Sequence, residues 1–412
     1  MADTSSSGVE SKPGDSYSIP QETQKIFAEG ILGNPLIRKD LPKNFEAYAA
    51  KIRFEGSDLP SVPINWRFAE SISALKGLEA VFLNALLAEK YDLDPQDILI
   101  DTDHAQLFFM SALLWQIHVD DGPPLTTASF GDKVAKQKYD ALIKDCDFHG
   151  MQSGMYRSQA TNIYKTRDGR FFHLHGSLNP EPTLDSIGLP HQMDAGSVEE
   201  ARAPFVDALS KINSDEMQKL ASETFKQAGT ICWTTEEYAE SEHGKANAHI
   251  GLYEIHARPN AAQGPCWWPP IQQTSAQRPL AGLRVVDLSR IIAAPAITRG
   301  LAEMGASVMR VTAPHVPDAS MLHVDLNWGK WNSCLDLRRP EDRVALKALI
   351  MKADVVVSGY RPGVLDKYGF GVEDILDMCK HRENGIIVAR ENCYGWQGWE
   401  PPSSYWGTTW LT

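Results

Sequence analysis

The residues in this chain whose types could do chemistry are few, and the first to stand out is a histidine pair. His173 and His175, in Phe172-His173-Leu174-His175, form an HxH on a predicted strand. Alternation puts both rings on one face, an arrangement that metals use. No third ligand lies nearby, so the pair reads as structural or exposed and no metal site is expected. The six cysteines are scattered without a CxxC pair, which points to free thiols in a reducing compartment rather than a disulfide framework. No Walker-type glycine loop and no GxSxG elbow occurs, and the turn after Leu288 lacks GxGxxG. Those gaps count against a P-loop nucleotidase, an α/β-hydrolase and a dinucleotide dehydrogenase. The tryptophans at 267, 268, 396, 399, 406 and 410 read as loop anchors rather than a base-stacking platform.

The charge balance supports that reading. Lys and Arg number 40 against 53 Asp and Glu, a net charge of −13, the wrong sign for a nucleic-acid surface. The 43% hydrophobic and 23% charged shares are those of a globular protein, and 412 residues allow two domains with sizeable cores. No run approaches 18 apolar residues, so no membrane span is expected. A polar N-terminal tail over residues 1–20 and a cytoplasmic location follow as expectations.

The elements that must position any site are clearest from Arg278 to Val311. A buried run, Leu283 to Leu288, passes through Ser289-Arg290 into an Ala-rich helix, and a second apolar run, Ala306 to Val311, follows. That strand–helix–strand unit predicts a parallel sheet with a right-handed crossover. Alternation continues: strands at 284–288, 307–311, 355–358 and 386–389, with helices at 294–304, 339–351 and 372–380. The fold class is therefore α/β, a Rossmann-like doubly wound parallel sheet plus a smaller mixed helical and hairpin domain. Upstream, apolar residues at helical spacing predict a helix within Phe68 to Tyr91, and residues 98–117 read as strand then helix. Arg167-Asp168-Gly169-Arg170 between two apolar runs predicts a hairpin. Helical stretches are expected over 200–212 and 214–227. The Pro-rich run 263–279 reads as a linker between a region 21–262 and a region 280–412.

The segment RPLAGLRVVDLSRIIAAPAITRGLAEMGASVMRV resembles the opening signature of the family III CoA-transferases, the CaiB/BaiF type. Further blocks in the same order strengthen the resemblance: Asn327-Trp328-Gly329-Lys330 with Leu335-Asp336-Leu337-Arg338, then Ala353-Asp354-Val355 with Tyr360-Arg361-Pro362-Gly363, then Cys393-Tyr394-Gly395. The segments Ala74–Ala80, Asp101–Leu107 and Tyr164–Gly176 resemble later parts of the family's sequence. The family halves thus stand in swapped order, by rearrangement or as a truncated tandem, and the stop at Thr412 favours the tandem. This resemblance implies a Rossmann-like CoA-binding region at 280–412 and a homodimer.

The resemblance also implies the chemistry. A carboxylate attacks an acyl-CoA thioester, and CoA then passes to an acceptor carboxylic acid. The acyl-CoA is a substrate; no permanently bound cofactor is expected. In the family the nucleophile is an aspartate ten residues before a helix glycine, here Gly77. That register falls on Arg67, whose guanidinium stays protonated and cannot attack. Glu70, one turn on, is the candidate catalytic carboxylate, with Asp101 and Asp103 in poorer register. Ile291, Ile292 and Ala293 occupy the turn whose backbone approaches CoA. Arg310, Lys330, Arg361 and Lys367 match basic positions for the nucleotide phosphates. The expected function is CoA transfer between a thioester and a carboxylic acid. Racemisation of α-methylacyl-CoA and CoA binding without catalysis are the alternatives.

Overall fold

The computed structural model describes residues 17–64, 66–151, 154–392 and 395–397. The tail at 1–16, Cys393, Tyr394, Trp399, Trp406 and Trp410 lie outside these. Two compact units emerge, one from residues 1–111 with 251–256, the other from 112–250 with 257–412.

The first unit is built round a parallel pair. Strand β1 (Ile52–Glu55) and strand β2 (Ile98–Asp101) align Ile52 with Ile98 and Glu55 with Asp101. The connection between them contains the helix Phe68–Tyr91, which buries Ala74, Leu78, Val81 and Ala85 against Phe27, Ile52 and Phe54. Gly77 makes that approach possible. A Cβ there would stand 2.8 Å from the Phe54 ring and 3.1 Å from Phe27. The helix stops at Asp92, whose backbone turns left-handed at φ 54°. This helix is long and apolar enough to cross a bilayer by length and composition, although its sequence holds no unbroken apolar run. Half of its most apolar window is buried among its own unit's side chains, as in a core helix.

The second unit holds the expected hairpin. Strands β3 (Asn162–Lys165) and β4 (Phe171–Leu174) are antiparallel, pairing Tyr164 with Phe172, and a two-residue strand β5 (Thr230–Ile231) adds to β4. Gly169 sits in the turn at φ 82°. Asp168 there accepts Thr166 Oγ1 at 2.6 Å and Ser214 Oγ at 2.7 Å. Tyr164, Phe172, Leu184, Phe205 and Met217 close the core behind it. The expected 200–212 helix runs Val198–Leu209; the next one ends at Lys219 and passes into a wider π-type turn.

The same unit contains a five-stranded, all-parallel sheet: β6 (Arg284–Leu288), β7 (Ser307–Thr312), β8 (Lys330–Cys334), β9 (Val355–Ser358) and β10 (Ile387–Arg390). Spatial order is β10-β9-β6-β7-β8, the doubly wound arrangement. Pleating sends Val286 and Leu288 to one face, against Leu346 and Ile350 of the helix Pro340–Ile350 and Ile375 of the helix Val372–Cys379. Asp287 points to the other face, where the helix Ala293–Glu303 packs. Strand β8 is the element the sequence alternation passes over. It is an edge strand whose Trp331 is 68% exposed. The 263–279 segment is tied down here: Gln263 Nε2 donates to Cys379 O at 2.9 Å and Trp268 Nε1 to Ala281 O at 3.1 Å.

Candidate functional site

In a doubly wound sheet, ligands bind outside the carboxyl ends of the strands, where the strand order reverses. Here that point lies between β6 and β9. Chain order runs outward through β7 and β8 on one side and through β10 on the other. The loops leaving β6 and β9 therefore form the crevice.

The loop after β6 is Ser289-Arg290-Ile291-Ile292, and the helix begins at Ala293. Ile291 is left-handed at φ 70°, a conformation that a β-branched side chain resists. Its N–H donates to Asp318 Oδ1 at 3.0 Å, and Arg290 Nη1 donates to Pro317 O at 3.0 Å. Neighbouring side chains crowd the space over Gly359, the first residue after β9. A Cβ there would stand 2.8 Å from that of Ala294 and 3.4 Å from that of Ser289, so glycine lets the two loops close together. Tyr360 follows, its hydroxyl pushed up to about 12 by burial beside Arg290. Glu391, after β10, has its carboxyl raised by burial, with Oε2 3.6 Å from where a Gly359 Cβ would be.

Beneath the crevice lies a buried ion pair. Lys330 reaches back from β8 with its side chain fully buried, and Nζ sits 3.1 Å from Asp287 Oδ2, 2.8 Å from Pro295 O and 2.6 Å from Thr298 Oγ1. Burial pushes the Lys330 ammonium below its ordinary range, and Asp287 offsets only part of this. Ser289 Oγ and Thr298 Oγ1 also donate to the Asp287 carboxylate. Arg310 on β7 is likewise buried, its Nη2 2.7 Å from Asp318 Oδ2 and 3.1 Å from His323 Nε2. Burial alone would raise the Asp318 carboxyl. The hydrogen bond and charge of His323, with Arg310 and the Ile291 N–H, hold it below its usual value instead.

The crevice thus gathers Ile291, Ile292 and Ala293, with Arg361 on the neighbouring loop. Among the described residues, no acceptor within the fold meets the N–H groups of Ile292, Ala293 and Ala294. The helix dipole adds partial positive charge at that end, so the turn suits an anion. Arg361 is half-buried; Lys367 is exposed in the short turn Asp366–Tyr368 further along the same loop. Lys330 and Arg310 are placed differently from a solvent-facing phosphate ligand, since internal carboxylates already occupy both cations. Sequence reasoning missed Asp318, His323, Tyr360 and Gly359. Asp287 left a trace, as a lone charge inside the apolar run Val285-Val286-Asp287-Leu288.

The carboxylate candidates belong to the first unit. Glu70 is 3% exposed in the first turn of its helix and accepts the Tyr17 hydroxyl. Arg67, at the helix N-cap, pairs with Glu22. Asp103 accepts Ser61 Oγ at 2.7 Å and both the Oγ and N–H of Ser57, and these bonds hold its carboxyl below the usual range. Asp101 accepts the His104 N–H at 2.9 Å. The His173 and His175 rings sit 5.6 Å apart, and burial pushes His175 down to about 4. Among the described residues no group of three or more His, Cys, Asp or Glu is arranged to hold a metal ion.

The fold is that of a Rossmann-like α/β protein whose strand order reverses between β6 and β9. Residues 280–408 match the model of CoA-transferase family III. The chain is similar to that family over this segment. It is 48% identical over 384 residues to the acetyl-coenzyme A transferase nodX of Hypoxylon pulicicidum, covering 92% of this chain and 64% of that protein. It is 30% identical over 403 residues to an acyl-CoA transferase of Gibberella moniliformis, covering 94% of this chain and 65% of that one. Over 137 residues it is 35% identical to the succinyl-CoA–L-malate CoA-transferase beta subunit of Chloroflexus aurantiacus, 30% of this chain and 33% of that protein. The chain spans just under two thirds of the length of the first two relatives.

Proposed function

We propose that this chain binds an acyl-CoA thioester at the β6–β9 crevice and takes part in transferring CoA to a carboxylic acid. The observation that carries the reading is the turn at Ile291–Ala293. It offers unpaired backbone N–H groups at a helix start, on the switch point of a parallel sheet, within the segment that matches the family. The names of two long relatives, an acetyl-coenzyme A transferase and an acyl-CoA transferase, support acyl-CoA as the donor class. Phosphates of the nucleotide would meet the helix start and the cations Arg361 and Lys367, through charge-assisted hydrogen bonds. We assign the attacking carboxylate to Glu70, and take the assembly as a homodimer in the cytoplasm.

A second reading, CoA binding without turnover, is favoured by one observation. The family's nucleophile position holds Arg67, and that guanidinium is paired with Glu22. One experiment separates the two. The purified chain is given acetyl-CoA and a mixture of carboxylic acids, new thioesters are detected by mass, and hydroxylamine is added in parallel to trap an acyl-enzyme anhydride. New thioester, lost with hydroxylamine and in Glu70→Gln, supports transfer by Glu70. New thioester that survives Glu70→Gln moves the chemistry to another carboxylate. CoA binding with no thioester supports the second reading.

A further inference from the structure

The strained turn at Ile291 is held by a loop that the family signature does not include, and the way it is held assigns that loop a role. Asp318 Oδ1 accepts the Ile291 N–H at 3.0 Å and the Ala319 N–H at 2.8 Å. Its Oδ2 accepts Arg310 Nη2 at 2.7 Å, with His323 Nε2 at 3.0 Å. Four donors therefore converge on one carboxylate that is 8% exposed. The loop is itself pinned on its far side: Asp318 N–H donates to Cys146 O at 3.0 Å, and Cys146 N–H to Ser320 Oγ at 2.7 Å. A second strap, Arg290 Nη1 to Pro317 O, lies one residue before the Ile291 bond. An isoleucine at φ 70° crowds its own backbone and relaxes towards negative φ unless something holds it. Relaxation would rotate the following peptide and turn the Ile292 and Ala293 N–H groups away from the crevice.

We propose that Asp318 is a positioning residue for CoA: its carboxylate clamps Ile291 in the left-handed conformation and so aims the Ile292 and Ala293 N–H groups at the ligand. The inference rests on the CoA-binding reading above. Arg310 is the clamp's counter-ion, and His323, 3.0 Å from the same carboxylate oxygen, helps to fix it in place.

The test uses the full chain with CoA as the probe, followed by calorimetry, and Asp318→Ala, Ile291→Gly and the double variant. Glycine adopts φ 70° without crowding, so it removes the need for a clamp. The expected result is a CoA Kd raised about tenfold or more in Asp318→Ala relative to wild type, and a double variant whose Kd lies within about threefold of that of Ile291→Gly alone. Asp318→Asn, which keeps the volume, shifts Kd the same way by less and serves if the alanine variant does not fold. Unchanged affinity in Asp318→Ala overturns the proposal, as does a loss of the same size in the Ile291→Gly background. Amide exchange of residues 292–294 without CoA is read alongside. Faster exchange in Asp318→Ala, with no CoA bound even by wild type, keeps the clamp and discards the CoA reading; unchanged exchange discards the clamp.

Discussion

Two strand–helix–strand units in this chain obey the same physics and end differently. Around Ile52–Asp101, two parallel strands flank a connection that buries its long helix so closely that Gly77 has no room for a side chain. Around Arg284–Thr312, the helix Ala293–Glu303 also packs on parallel strands, yet its N-terminus opens on a strained turn. In the first unit the helix start is a closed affair, with Arg67 paired to Glu22 and Glu70 buried under Tyr17. In the second, the five-stranded order reverses at β6, and the first N–H groups of the helix meet no acceptor among the described residues. A parallel pair is enough for a core; a crevice needs the reversal.

The sharpest way to break this comparison is at the buried pair beneath the crevice. Lys330→Met removes the only cation bonded to Asp287 among the described residues and should destabilise the second unit by about 3–5 kcal/mol, read by denaturant unfolding. A loss below about 1 kcal/mol would mean the sheet tolerates an uncompensated Asp287, and the ion pair is incidental. Gly77→Leu tests the first unit's packing. With Phe54 and Phe27 already at 2.8 and 3.1 Å from a Cβ, it should cost about 1–3 kcal/mol through overpacking. A neutral result would show that the helix can slide.

Smaller effects sharpen the contrast. Lys367→Ala should weaken CoA binding about fivefold, roughly 1 kcal/mol, and leave the melting temperature unchanged because the side chain is exposed. Added salt should narrow the difference. The hairpin offers a pH test. Hydrogen bonds from Thr166 and Ser214 hold the Asp168 carboxyl down to about 2 in the fold. A depressed folded value means the stabilisation is complete above the ordinary carboxylate value near 4 and fades as pH falls towards 2. Exchange of the Ser214 amide should accelerate over that window in wild type and stay flat in Asp168→Asn.

Much of the parallel sheet was legible because its strands are short buried apolar runs. Arg284–Leu288 and Val355–Ser358 have the ends the sequence marks. Strand β8 was not, since Lys330-Trp331-Asn332-Ser333-Cys334 sits at the edge, where exposure removes the apolar pattern. Ile52-Arg53-Phe54-Glu55 does alternate, but four residues among prolines and helical turns carry too little periodicity to be heard. For the site, the strand-to-helix transition marks a turn at Ile291–Ala293, while its link to CoA comes from the family resemblance. Asp318 was not: its partners at 291, 310 and 323 share no period with it, and only the folded sheet brings them together. The cations show the limit of matching by position. Lys330 and Arg361 look alike in sequence, yet one is buried on Asp287 and the other stands half-buried in a loop.

The most direct measurement is calorimetric titration of CoA into the purified chain and into Ala293→Glu. A carboxylate at the first helical position complements the dipole, so the variant should melt no lower than wild type. It also places a negative charge where the account puts the CoA phosphates. We expect wild type to bind and the variant to bind at least about tenfold more weakly, ~1.4 kcal/mol. Equal affinity in the two proteins, or no binding in wild type, would contradict a CoA site at the β6–β9 crevice.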